Sequence, residues 1–96
     1  MSPLKKKKLN KIRLELDSLD NSLIKLIKKR TILVKKVLTL KDKKNQIVDQ
    51  KRIKTILMNI RKKSLKNDID PKITNRIWKS MIWSYIDFER RNFTKK

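Results

Sequence analysis

The chain of 96 residues contains no histidine, no cysteine and no glycine, and only two prolines. Reading along it, there is no alanine either. Without cysteine there is neither a disulfide framework nor a thiol nucleophile, and without histidine the usual zinc ligand sets and an imidazole general base are excluded. Acids are scarce as well: 9 Asp and Glu stand against 29 Lys and Arg, a formal net charge of +20. No apolar run approaches the ~20 residues of a membrane span. The basic start, Met1 to Lys8, leads into a mixed polar pattern rather than an apolar h-region. A secretory signal is therefore not expected, and the expectation is a cytoplasmic protein without a membrane partner.

What is present is a long amphipathic pattern. From Leu9 to Lys41 the chain runs without proline, and Leu9, Ile12, Leu16, Leu19, Leu23, Ile27, Val34 and Val37 recur on the helical period. A helix of that length is about 50 Å long, whereas a compact monomer of this size has a radius of gyration of about 13 Å. Its apolar stripe predicts an intertwined homodimer or packing on another protein, and the dimer is the commoner solution. Ahead of it, Met1 to Lys8, with Pro3 and the run Lys5 to Lys8, reads as a disordered basic tail, followed by one helical domain over 9–96.

The polar stretch Asp42 to Gln46 is expected to be the first loop. A second helix starts with Asp49 as N-cap and continues to about Lys66 through Ile53, Ile56, Leu57 and Ile60. Asn67-Asp68 marks a turn. A third helix opens on Asp70 followed by Pro71 at the first helical position and runs to about Phe93, with Ile77, Trp78, Met81, Ile82, Tyr85 and Ile86 on one wide face. The fold class is all-α: a three-helix protomer with a long first helix, in an intertwined homodimer.

Three ionisable groups occupy positions where this pattern asks for core residues. Arg30 and Lys41 fall within the apolar stripe of helix one, and Glu89 lies on the row of Trp78, Ile82 and Tyr85. A charge on a packing face needs a partner or a wet site. One explanation is a buried salt bridge of Glu89 with Lys41 or Arg30, which leaves one cation over; Lys41 near a helix end is also able to snorkel. Asp49 and Arg52 read either as an N-cap with a local ion pair or as ligand contacts. Arg13 lies on the flank of the stripe, solvated in a monomer and able to enter a partner's site in a dimer. A site with several cations, one hydrogen-bonding acid and no nucleophile suits a small polycarboxylate, because Arg is favoured for forked carboxylate recognition. Positioning and electrostatics can be the whole of catalysis when the reaction is unimolecular.

These residues resemble the all-α chorismate mutase family over about Leu9 to Phe93. The carriers are Ile12-Arg13-Leu14-Glu15-Leu16-Asp17-Ser18-Leu19-Asp20, Leu26-Ile27-Lys28-Lys29-Arg30, Lys41, Asp49-Gln50-Lys51-Arg52, and Ile77 through Glu89. The resemblance implies a dimer of three-helix protomers that rearranges chorismate to prephenate without a cofactor or metal. It implies that Arg13 reaches the partner's site, that Arg30 and Arg52 bind substrate carboxylates, and that Asp49 and Tyr85 line the substrate. Lys41 and Glu89 would serve the ether oxygen of the breaking bond.

Where many mutases carry a glutamate after the second-helix arginine, this chain has Ile53, and position 89 is Glu rather than the glutamine of some members. An aliphatic residue there, with Trp83-Ser84-Tyr85-Ile86, also resembles the related isochorismate pyruvate lyase branch. A third, non-enzymatic reading is a small basic helical protein that binds nucleic acid through its lysines. Lysine, isoleucine and asparagine abound together, as they do when an AT-rich genome fills tolerant surface positions, and the basic residues are spread rather than gathered on one recognition helix.

Overall fold

The computed structural model describes residues 1–95. It contains α1 (Pro3–Thr39), a short 3-10 turn (Lys44–Gln46), α2 (Gln50–Lys66) and α3 (Pro71–Asn92), with no strand among the described residues. The chain is all-α, as its periodicity predicts. Its internal packing divides it into two compact units, Met1–Leu33 and Val34–Lys96.

The first unit is the greater part of α1. Its start corrects the expected tail, because Pro3 to Lys8 form the opening turns of the helix rather than irregular chain. Ser2 acts as the cap: its Oγ accepts from Lys5 N–H at 3.2 Å and its carbonyl from Lys6 N–H at 2.9 Å. A serine cap followed by proline at the first helical position is a helix start. The run Lys5 to Lys8 obscures it, since it has no apolar period and places cations against the positive end of the helix dipole. No residue of α1 is buried, and its stripe residues Ile12, Leu16, Leu19 and Leu23 are all at least half exposed.

In the second unit α1 ends at Thr39, two residues earlier than its pattern predicts. Leu40 N–H donates to Val37 O and Lys41 N–H to Leu38 O, so the chain leaves the helix through tightened i→i−3 bonds. Lys41 therefore lies past the helix, and its direction is set by the loop rather than by α-helical angle. The expected loop Asp42 to Gln46 contains the 3-10 turn and delivers Ile47 into the interior.

Ile47, Ile82 and Ile86 are the buried apolar centre, with Leu38, Val48, Ile53, Ile56, Leu57 and Phe93 packed against it. α2 and α3 start where the sequence predicts. Asp49 caps α2 by accepting from Arg52 N–H at 3.0 Å, and Asp70 caps α3 by accepting from Lys72 N–H at 2.9 Å, with Pro71 in the first turn.

The reversal between α2 and α3 shows how a chain without glycine ends a helix. Asp68 adopts φ 56°, a left-handed conformation that Asp tolerates better than most residues. Around it Ile69 N–H donates to Ser64 O at 2.9 Å and Asp68 N–H to Leu65 O at 3.3 Å, the bond pattern of a Schellman motif. Ser64 is itself buried, and its hydroxyl donates to Ile60 O at 2.6 Å. The Thr74 hydroxyl lies 2.7 Å from Ser64 Oγ, within hydrogen-bond distance. That pair ties the two helices together near their turn, and the antiparallel run brings the start of α2 beside the end of α3.

Candidate functional site

α3 buries three residues, Ile82, Ile86 and Glu89, at spacings that put them on one line of the helix. The same geometry that drives two isoleucines into the core drives a carboxylate in after them. A carboxylate in that setting requires a compensating charge or donors. Lys41 supplies both, with Nζ 3.2 Å from Glu89 Oε1 and 3.4 Å from Oε2. The lysine side chain is 19 % exposed and the glutamate side chain 7 %.

Lys41 Nζ also donates to Ile47 O at 3.4 Å. An ammonium has three donors, and Glu89 Oε1, Glu89 Oε2 and Ile47 O are the three acceptors around it. The loop that carries Lys41 is closed by Gln46, whose Oε1 accepts from Asp42 N–H at 2.7 Å and Lys43 N–H at 2.9 Å. On the far side of the same loop Lys95 Nζ donates to Thr39 O at 2.6 Å and lies 3.8 Å from Asp42 Oδ1.

Of the sequence-predicted site residues, Lys41 and Glu89 are joined directly, which is one of the two salt bridges that the helical pattern allowed. Asp49 and Arg52 meet through a backbone N–H at the cap, and both side chains are exposed. Tyr85 stands one turn before Glu89 on α3 and is half-buried. Arg13 and Arg30 belong to the first unit, Arg13 exposed and Arg30 half-buried. Among the described residues no group of acidic side chains is arranged to hold a metal ion, and no helix is long and apolar enough to cross a membrane.

A cleft of about 410 Å³ lies between Leu57, Met58 and Arg61 of α2 and Pro71, Lys72, Thr74 and Asn75 of α3. It contains none of the predicted site residues and no buried charge. The buried ion pair lies instead at the Lys41–Glu89 end. Two contributors there escape a reading by period: Ile47, 3 % exposed and the most buried apolar residue of the second unit, and Gln46. The only signals for them are an Ile-Val pair after a polar loop and a glutamine three residues after Lys43, the spacing of a capping box with the wrong residue at the cap.

The ion pair yields a prediction about stability. Lys41→Met leaves Glu89 with a buried, uncompensated carboxylate and is expected to destabilise the fold by about 1–3 kcal/mol. The double variant Lys41→Met/Glu89→Leu is expected to recover most of that loss in urea titrations; additive losses would mean that the two side chains are not coupled.

The sequence model of the family described as chorismate mutase type II matches residues 12–90 of the chain. No curated protein matches it significantly. No solved structure does so either.

Proposed function

The chain belongs to the chorismate mutase type II family, and from that membership we propose that it rearranges chorismate to prephenate, using charge placement and conformational restraint alone. The observation that carries the reading is the Lys41–Glu89 pair, a charged donor set held in a packed helical setting within a chain that has no histidine or cysteine. In this pericyclic reaction the ether C–O bond breaks as a C–C bond forms, and the ether oxygen gains negative charge at the transition state. A donor aimed at that oxygen stabilises the transition state more than the substrate.

Lys41 has the donor to offer. In the single chain its ammonium donates to Glu89 Oε1, Glu89 Oε2 and Ile47 O, and in the proposed scheme one of these N–H groups turns to the ether oxygen when substrate binds. Glu89 orients Lys41 through both of its carboxylate oxygens. Arg30 and Arg52 hold the two substrate carboxylates in the compact conformer that reacts, with Arg13 contributed from a second copy of the chain. Asp49 and Tyr85 complete the lining. No cofactor takes part in this scheme, and a cytoplasmic location is part of the proposal.

A second copy is supported by α1. Its stripe of Ile12, Leu16, Leu19 and Leu23 is exposed in the single chain, a long apolar surface of the kind that homodimers cover. The lyase alternative, release of pyruvate from isochorismate, retains one observation in its favour. Ile53 packs against the isoleucine core, so this position offers no polar grip on a ring hydroxyl.

Three outcomes test the proposal. Purified protein is expected to convert chorismate to prephenate and to give no salicylate or pyruvate from isochorismate, with Lys41→Ala lowering kcat by about 10²–10³ while the helical spectrum is retained. Salicylate formation would transfer the assignment to the lyase, and steep, salt-sensitive duplex binding without turnover of either substrate would favour the nucleic-acid reading. Glu89→Gln, which keeps an oxygen acceptor for Lys41, is expected to retain turnover while Glu89→Leu lowers kcat; equal kcat in both variants would remove Glu89 as the group that orients Lys41. Sedimentation is expected to show a dimer that Leu19→Lys/Leu23→Lys converts to an inactive monomer, whereas an active monomer would refute a partner-supplied Arg13.

A further inference from the structure

Among the candidate cations, Arg13, Arg30 and Arg52 stand on helices, and Lys41 alone stands on a loop. A helix holds the direction of its side chains through its own backbone bonds. A loop without proline or glycine, as residues 40–48 are, has no such intrinsic restraint, and something else must aim Lys41.

The hydrogen bonds identify it. Four successive amides leave α1, and each has a protein acceptor. Leu40 N–H donates to Val37 O at 3.0 Å and Lys41 N–H to Leu38 O at 3.2 Å, bonds that a tightening helix end supplies by itself. The next two, Asp42 and Lys43 N–H, converge on one atom, Gln46 Oε1, at 2.7 and 2.9 Å. A carbonyl oxygen with two lone pairs is suited to that double role. Gln46 N–H in turn donates to Lys43 O at 3.0 Å and Ile47 N–H to Lys44 O at 3.2 Å, which turns the chain back so that Ile47 enters the core. Ile47 O then receives the Lys41 ammonium at 3.4 Å. The loop is thus a closed ring of contacts from Lys41 through Asp42 and Lys43 to Gln46, Ile47 and back to the Lys41 side chain.

We propose that Gln46 is a positioning residue for the reaction: by accepting the two amides that follow Lys41, its side-chain carbonyl fixes the loop in the form that aims the Lys41 ammonium at the reacting bond. Gln46 touches no substrate in this scheme and acts through Lys41. The lysine has four side-chain torsions, so a loose backbone at its root spreads the ammonium over many positions, and a donor off target loses its preference for the transition state. The inference rests on the proposed function, and it concerns a residue whose side chain is solvent-exposed.

The test compares full-length wild type with Gln46→Ala and Gln46→Glu, the second of which keeps an oxygen acceptor at the same reach. Two readouts are taken: steady-state turnover of chorismate, and NMR measurement of amide exchange at Asp42 and Lys43 together with the side-chain order parameter of Lys41. Gln46→Ala is expected to lower kcat about tenfold with KM nearly unchanged, to speed exchange at both amides, and to lower the Lys41 order parameter. Gln46→Glu is expected to restore all three. A residue serving folding alone would shift the melting temperature without this kcat and KM split or its rescue. Full kcat in Gln46→Ala, or a Lys41 order parameter equal to that of wild type, would overturn the proposal. If the wild type turns over no chorismate, the proposed function fails, and the order parameter still decides whether Gln46 aims Lys41.

Discussion

A carboxylate placed on the buried line of a helix governs the second unit. Ile82, Ile86 and Glu89 are set inward by one helical period, and the last of them is tolerable there only because Lys41 reaches it. Such a pair costs desolvation that apolar residues of similar volume would avoid, so it is a poor device for stability. What it does achieve is to hold an ammonium at low exposure between a carboxylate and a backbone carbonyl. The tightened exit from α1, the 3-10 turn and the burial of Ile47 all serve to bring that ammonium to α3.

The remaining charge behaves differently. A net charge of +20 is carried almost entirely by exposed lysines and arginines, which solvent screens. Exposed pairs such as Arg91 with Asp87 add little. Overall charge draws anions of every class toward the surface, and it discriminates poorly among them. Among the described residues, the Lys41 ammonium is set apart by three protein oxygens within hydrogen-bond distance. The chain belongs to the chorismate mutase type II family, and the proposed function gives that cation the task of polarising a small dianion.

Much of the architecture was legible because it is written in short stretches. Asp49 and Asp70-Pro71 announce helix starts through bonds that span two or three residues, and the apolar period places Ile82, Ile86 and Glu89 on one row. Ser2-Pro3 announces a start in the same way, yet the lysines after it have no period, and the expectation of a tail followed from that. At Asn67-Asp68 a turn was legible but its left-handed residue was not, since glycine, the usual signal, is missing from the whole chain.

By itself the sequence determined the helical class, the starts and caps of α2 and α3, and the presence of ionisable groups at core positions, since each depends on bonds or periods within a few neighbouring residues. Tertiary structure decided the rest: that Lys41 leaves the helix before it points anywhere, that its partner is Glu89, and that Gln46 and Ile47 close the loop beneath it. The physical reason is chain closure. Lys41 and Glu89 are far apart in sequence, and their meeting depends on the turn at Asp68, the antiparallel packing of α2 on α3 and the bonds of one loop all being satisfied together.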